Sequence, residues 1–454
     1  MERNNKRVYL ILGLIFFFTF IINLLYMIGS YPGNMTIDSV NQFNQIATNQ
    51  YNNYHPVFST IIYKIPTLIY FSPASIIFAQ ILFFSIVVTY MAYSMFKYTK
   101  IKSWIIVVIT VLFSSFLTNG FMLTNMWKDV PYSICIMLLT IFLFNIVSTD
   151  FKWLESKKNN ILFVLIMASV ALIRHNGVIV IIFTGLSLII FQRKKNLKKY
   201  LLITITCLIL FLGTEKILAG ALHSRDTLSK ADIVSVPLQQ IAAVVQSNGK
   251  LKENEKEVLY QIAPSKVWSQ SYNRYLSDNI KNLANDSFIK DPSLRGEVIK
   301  IYPSICANNF KVVTKAYLHQ ISIIWRLRGY ERGALTFYTL EENDYGFSKH
   351  EIIPALTSGY KKILEVLRSN SILRFIFWNP AILMYIAILL IIISIVKQKS
   401  GKVVIIAMPM FANIASLLIS IPAQDYRYLY ANLLCLPILL FYTTKKKDNG
   451  EISD

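Results

Sequence analysis

Four short stretches carry the residue types able to do chemistry. They are NMTIDS with NYHP (Asp38, Tyr54, His55), NMWKDVPY (Trp127, Lys128, Asp129), LIRHNG (Arg174, His175, Asn176) and PAQDYRY (Asp425, Arg427). A carboxylate such as Asp38 or Asp129 can take a proton from a hydroxyl as a general base. Lys128, Arg174, Arg427 and a charged His175 suit phosphate oxygens. His55, Tyr54, Trp127, Asn176 and Asp425 suit a sugar, whose rings stack on aromatic faces and whose hydroxyls pair with polar tips. Each residue also has a plainer use: Asp38 can cap a helix, and charged or aromatic groups at the ends of apolar runs serve as membrane anchors.

The elements that must bring these stretches together are apolar. Of 454 residues, 54% are hydrophobic and 16% charged, and mean hydropathy is +0.46. The apolar residues fall in runs near 8–29, 72–96, 104–124, 130–147, 161–173, 178–191, 200–218, 373–396, 403–421 and 429–442. A bilayer takes ~20 residues of helix, so the pattern predicts an all-α polytopic membrane protein of about ten transmembrane helices. The two runs flanking Arg174 are short enough to be a broken helix. The first run is too long for a signal-peptide core and no small-residue cleavage site follows, so it reads as a retained span.

This divides the chain into an N-terminal transmembrane module (1–218) with a first outer loop (30–71), an extracytoplasmic insert (219–370), a C-terminal transmembrane module (371–444) and a tail (445–454). The insert has balanced charge and helical periodicity over 236–245 and 304–325. Pro237 fits a first helical turn, and Asn343-Asp344-Tyr345-Gly346 reads as a turn. Arg326, Arg328 and Arg332 form a basic knot that reads mainly as a solvated face. His223, His319 and His350 read as surface or packing residues.

The formal charge of +21, from 46 basic and 25 acidic residues, would suggest nucleic acid in a soluble protein. Here the basic residues collect in alternate connections: 97–103, 150–160, 192–199, 397–402 and the tail beginning Lys445-Lys446-Lys447. That alternation predicts cytoplasmic termini. The excess is then a topology signal with some attraction to anionic headgroups, and no nucleic-acid partner is needed. All four chemical stretches fall on the opposite face. Outside the cytoplasmic segments and the insert, the acids are Asp38, Asp129, Glu215 and Asp425.

The four cysteines, Cys135, Cys207, Cys306 and Cys435, are too scattered for a disulfide framework or a metal cluster. No Gly-rich phosphate loop, Walker pattern, HExxH or CxxC occurs, which disfavours a nucleotide-driven pump. No internal repeat with matching broken spans points to a secondary transporter.

The motifs TIDSVNQ, YHPVFST, WKDVPYS, RHNG, VPLQQIA and QDYRYLY, in this order and with this sidedness, resemble the GT-C superfamily of membrane glycosyltransferases. More closely, they look like an uncharacterised bacterial branch related to the protein O-mannosyltransferases and the lipid A aminoarabinose transferase. The resemblance covers most of the chain. It implies an enzyme of the bacterial plasma membrane that moves a sugar from a polyprenyl-phosphate donor to a cell-envelope acceptor, a wall glycan or another, on the outer face. It implies Asp38 as catalytic base and, more loosely, Lys128, Arg174, His175 and Arg427 around the donor phosphate. No metal or further cofactor is expected, and a separate donor synthase is an implied partner. The sequence has a single first-loop Asp where many relatives carry an adjacent acidic pair. Two rival readings share the outer polar loops: a flippase or transporter of lipid-linked glycan, and a polymerase or ligase of such glycans. The flippase is disfavoured because the cytoplasmic loops lack a matching set of acids, aromatics and His.

Overall fold

The computed structural model describes residues 2–225, 231, 234–327 and 338–444. Among them the chain is all-helical, with isolated bridges but no strands. It separates into two compact units: Met1–Arg225 with Ala334–Asn413 and Arg427–Asp454, and Asp226–Gly333 with Ile414–Tyr426. Arg328, Arg332 and the tail from Lys445 lie outside the described residues.

The first unit begins with α1 (Glu2–Gly29), α2 (Ile37–Thr48), α3 (Val57–Thr67), α4 (Pro73–Tyr98), α5 (Ser103–Ser114), α6 (Leu117–Leu123), α7 (Asp129–Ser148), α8 (Lys157–Ile173), α9 (Gly177–Gln192) and α10 (Leu197–Ala221). Helix α7 is the axis of this unit: nearly all of its residues are buried, and it packs on α4 and α8. A helix apolar on every side has to be enclosed, and α7 is. The peripheral helices behave oppositely. Leu10, Leu14, Phe17 and Ile21 of α1, and Leu202, Ile209 and Leu212 of α10, are exposed, a surface suited to hydrocarbon rather than water.

The second unit is built from α11 (Ser235–Gln246), α12 (Glu253–Ile262), α13 (Ser265–Ser271), α14 (Asp278–Lys290), α15 (Pro292–Asn308) and α16 (Phe310–Gln320). Its core gathers Leu238, Ile241, Val244, Trp268, Ile280, Phe288 and Val298, with the Trp268 indole donating to the Leu259 carbonyl at 3.1 Å. Pro237 sits in the first turn of α11. The periodic stretch 304–325 is interrupted at Asn309, whose amide bonds both the N–H and the C=O of Lys250 at 2.8 Å. The first unit resumes with α17 (Pro354–Ser369), α18 (Ser371–Trp378) and α19 (Pro380–Gln398). Helix α20 (Val403–Ile419) follows, and α21 (Tyr430–Thr444), which packs on α7 and α19, closes the described chain.

All ten predicted runs fall on helix, but among the described residues five helices are long and apolar enough to cross a bilayer: 6–29 of α1, then α4, α7, α10 and α19. A sixth counts if α5 and α6 form one span, although they are bent by 51°. The cause of that bend is readable: Ser114 and Ser115 turn their hydroxyls back onto the Thr110 and Val111 carbonyls at 2.8 and 2.9 Å, which weakens a helix. Asn119 then catches the Phe113 carbonyl at 2.7 Å. Helices α9 and α20 are apolar but shorter. The run predicted over 373–396 is broken too, at Asn379-Pro380, where Asn379 caps α19 by accepting from the Ala381 N–H at 3.1 Å.

The predicted insert 219–370 is likewise divided. Its segment 338–370 belongs with the first unit, where Met35 donates to the Thr339 carbonyl at 2.9 Å and accepts from the Glu341 N–H at 3.1 Å. Lys349 secures this strap by donating to the carbonyls of Ser30 and Gly33 and to Asn34 Oδ1, at 2.9, 2.7 and 2.7 Å. The predicted turn at Asn343–Gly346 is present: Asn343 Oδ1 accepts from the N–H groups of Tyr345 and Phe347, and Gly346 adopts φ +70°. Cys135, Cys207 and Cys435 are buried, Cys306 is half-buried, and all four are free.

Candidate functional site

The segment 30–71, expected from the sequence to be the first outer loop, is not a loop. It folds into α2 and α3, and its approach to α2 is tied to the turn between α6 and α7. Asn34 donates to the Thr124 carbonyl at 2.8 Å, and Met126 donates back to Asn34 at 3.0 Å. Gly33 allows this approach, because its φ is +113° and a Cβ there would meet Ile77 Cδ1 at 1.8 Å. Ser39 Oγ then donates to the Met126 carbonyl at 2.6 Å, and the Trp127 indole donates to Thr36 Oγ1 at 3.0 Å. Asp38 is thereby fixed in the first turn of α2, where the exposed N–H groups favour an anion, beside Trp127-Lys128-Asp129.

The other side chains arrive from distant segments. His55 precedes Pro56 at the start of α3, which Gln42 ties to α2 through Ser59 and Thr60 at 3.0 and 3.2 Å. Arg174 ends α8. The sharp return into α9 needs Gly177, since a Cβ there would lie 2.3 Å from the Val170 carbonyl oxygen. Arg427 precedes α21, and its neighbour Tyr428 is held by Asn413, which donates to the Tyr428 carbonyl at 2.9 Å and accepts from the Tyr132 hydroxyl at 3.0 Å.

These side chains form one cluster. Arg427 Nη1 lies 3.1 Å from Asp38 Oδ2, and its Nε is 4.0 Å from Asp129 Oδ2. Arg174 Nη1 lies 3.0 Å from Asp129 Oδ1. The Arg174 guanidinium sits over the rings of Tyr132 and Tyr428, at 5.4 and 5.0 Å, and that of Arg427 over Trp127 and Tyr428, at 5.3 and 5.1 Å. Lys128 Nζ is 2.5 Å from His55 Nδ1. The opposite His55 nitrogen, Nε2, is buried without a hydrogen-bond partner, 4.0 Å from Asp38 Oδ1.

Burial pushes the Asp38 carboxyl up, but Arg427 above all, with Lys128, outweighs it and holds the group below the ordinary carboxylate range. Burial and the Lys128 ammonium lower His55 to about 3, overcoming the opposing pull of Asp38. The imidazole is therefore neutral at pH 7, accepts from Lys128 at Nδ1 and presents Nε2–H toward Asp38. Burial lowers Lys128 to about 8, with Asp129 and Asp38 opposing and the two arginines reinforcing. The cluster sets three basic side chains, Lys128, Arg174 and Arg427, against two acidic ones, Asp38 and Asp129, in a largely buried setting, and this basic excess favours an incoming anion.

Not every expected residue joins it. His175 turns aside, with Nδ1 3.5 Å from Glu215 Oε1 and Nε2 3.3 Å from the Asn53 carbonyl. Asn176 starts α9, and Tyr54 is exposed, edge-on to His55 at 4.9 Å. Asp425 is grouped with the second unit, beside Gln424, which donates to the His319 carbonyl at 2.7 Å, and is described within that unit alone. The residues that sequence reasoning missed are Tyr132, Tyr428 and Thr36. One signal for Tyr132 was available, as it stands one helical turn after Lys128. Among the described residues no group of three or more His, Cys, Asp or Glu is arranged to hold a metal ion.

The cluster lies where α1 and α8 end and where α7, α9 and α21 begin, at one end of the helices. At the other end, Lys402 pairs with Asp150 at 2.6 Å, and Lys397 and Lys199 donate to the carbonyls of Thr443 and Leu154, both at 3.2 Å. Two carboxyl-bearing stretches and two arginines thus meet at the first end, whereas the lysines of the other end reach Asp150 and backbone carbonyls at helix ends.

A family model described as a family of unknown function (DUF6020) matches residues 48–453. The match includes His55, Lys128, Asp129, Arg174 and Arg427 and begins after Asp38. Comparison with curated proteins gave no match, and comparison with solved structures gave none.

Proposed function

The chain belongs to the DUF6020 family, and we propose that it is a glycosyltransferase of the GT-C kind that moves a sugar from a polyprenyl-phosphate donor to a cell-envelope acceptor. The reading places it in the bacterial plasma membrane with about ten spans, two of them shortened around Arg174, and with both termini cytoplasmic. The clustered end of the helices then faces outward.

One observation carries the proposal: Asp38 and three cations, delivered by four separated stretches of chain, meet around aromatic rings at one end of an apolar helix assembly. Catalysed displacement at an anomeric carbon needs the same parts. Asp38 takes the acceptor hydroxyl proton as the acceptor oxygen forms its bond to the anomeric carbon. The bond from that carbon to the phosphate oxygen breaks, and polyprenyl phosphate leaves with the electron pair, neutralised by Lys128, Arg174 and Arg427. Asp129, buried between the two arginines, orients them. Charge stabilisation of this kind is worth about 2.7–4 kcal/mol per well-placed donor. A single displacement inverts the anomeric configuration.

While Arg427 holds Asp38, the carboxylate is a weak base. A donor phosphate that draws Arg427 to itself raises the basicity of Asp38 at the moment the acceptor needs it. Binding and activation are thus linked through one guanidinium.

The test is mass analysis of envelope glycans from cells that lack the gene and carry either the wild-type or an Asp38→Asn copy. A glycan restored by wild type alone supports the proposal. Full restoration by Asp38→Asn removes Asp38 from the chemistry, and a retained anomeric configuration in the product removes the single displacement.

A further inference from the structure

The second unit contains a cavity of about 310 Å³, at the small end of the range that holds ligands. Two helices and one connecting segment build it. Gln246 and Ser247 come from the end of α11. Lys315 and His319 lie one turn apart on α16, so they share a face, and Ala243 and Ala316 form part of an apolar floor between the helices. The third wall is the segment with Tyr272 and Arg274. This segment is held in place: Gln239 donates to the Asn273 carbonyl, Asn273 Oδ1 accepts from the Tyr275 N–H at 3.0 Å, and Leu276 donates to the Asn273 carbonyl at 3.1 Å.

The lining is one-sided in charge. It carries Arg274, Lys315 and His319 and no carboxylate. Behind the wall, Arg326 donates to the Tyr275 hydroxyl at 2.6 Å, and both Arg326 and Arg274 lie over the Tyr275 ring, at 5.5 and 5.7 Å. Arg326, the described member of the basic knot, is half-exposed and shares the Tyr275 ring with Arg274 of the lining, so its charge adds to the positive field beside this cavity.

We infer that this cavity binds one anionic sugar unit, bearing phosphate or carboxylate, of the acceptor. The floor and Tyr272 suit the C–H face of a pyranose ring. Gln246 and Ser247 suit its hydroxyls, and Arg274 with Lys315 suits the anion. The assignment to an acceptor rests on the glycosyltransferase reading, whereas the recognition of an anionic sugar rests on the cavity alone. A phosphate could also come from a lipid headgroup, so the test separates the two sources.

The full chain in phosphatidylcholine nanodiscs is titrated with glucose 6-phosphate, glucuronate, glucose and inorganic phosphate, and binding is read by saturation-transfer NMR. The two anionic sugars are expected to bind at least tenfold more tightly than glucose or phosphate. Arg274→Gln with Lys315→Gln is expected to lower their affinity at least tenfold, and Lys315→Glu alone to act in the same direction. Both side chains are exposed, so these variants test charge without opening the core. Unchanged binding in both variants overturns the inference, as does inorganic phosphate binding as tightly as the sugar phosphate. Loss of glucose 6-phosphate binding on adding phosphatidylglycerol to the nanodisc assigns the cavity to lipid and also overturns it. Asp38→Asn is expected to leave this binding intact, so failure at the cavity is distinguishable from failure of the transfer chemistry.

Discussion

The guanidinium of Arg427 lies 3.1 Å from the carboxylate of Asp38, across 389 positions of sequence. It joins the first helix after α1 to the turn that starts the last described helix. It also means that the proposed base rests in a neutralised state until something competes for its partner. The competitor that the cluster favours is an anion.

Removing the base tests the centre most directly. Asp38→Asn keeps the shape and the place in the first turn of α2 but cannot accept a proton. General-base assistance contributes ~10²–10⁴-fold, so sugar transfer by the purified protein is expected to fall by about that factor. Donor affinity, measured separately, should change far less. A variant that retains full turnover would exclude Asp38 as the base.

Arg427 is expected to set where Asp38 titrates. In Arg427→Gln the burial that raises the carboxyl remains while the largest opposing charge is gone, so the acidic limb of the kcat/KM profile should move to higher pH. Arg427→Lys restores charge without the two-pronged geometry and should move it back in part. An unmoved acidic limb in Arg427→Gln would show that the pair is decorative.

Lys128 governs the alkaline side. Its amine titrates at about 8, and the neutral amine no longer attracts phosphate. The kcat/KM should therefore fall as pH rises through about 8, and Lys128→Met should be slow throughout and lack that limb. Folding stability has the opposite slope. The group's folded value is depressed below its unfolded value of 10.5, so between about 8 and 10.5 the unfolded chain holds more protons and stability rises with pH. Thermal unfolding of wild type and Lys128→Met across this window checks the sign: Lys349, lowered to about 7, contributes a rise of the same sign in both, so the variant's rise should be shallower by the share of Lys128.

Gly177 is a purely structural test. An alanine Cβ would lie 2.3 Å from the Val170 carbonyl oxygen and 2.7 Å from Ala171 Cα, both backbone atoms. Relieving that overlap requires the α8–α9 turn to open, with an expected cost of about 1–3 kcal/mol. Gly177→Ala should lower the unfolding temperature in detergent, whereas Gly213→Ala, where nothing lies within 4 Å of the added carbon, should not. Because the same turn delivers Arg174, the first variant should also weaken donor binding.

Much of the helical framework was legible because apolar runs and the alternation of lysine-rich connections are one-dimensional properties. Breaks were less legible. The bend after Ser114 and the restart at Pro380 depend on which carbonyl a serine or asparagine side chain reaches, and periodicity does not carry that. The loop 30–71 hid two helices: the polar content of α2 masked its amphipathic pattern, and α3, though apolar, is only 11 residues long, too short to read as a span. The insert was divided because 338–350 finds its hydrogen-bond partners on the segment following α1, far away in sequence.

The chain's sequence determined that helices form, that ten apolar runs lie on them, and that two kinds of connection alternate between them. Hydrophobic periodicity and charge placement are local, and each residue contributes to them without reference to distant neighbours. Only the tertiary structure decided that Asp38 faces Arg427, that His55 holds Lys128 and that His175 turns away to Glu215. Those pairings depend on how separate helix ends are brought within a few ångströms, where Coulombic and hydrogen-bond terms distinguish one partner from another.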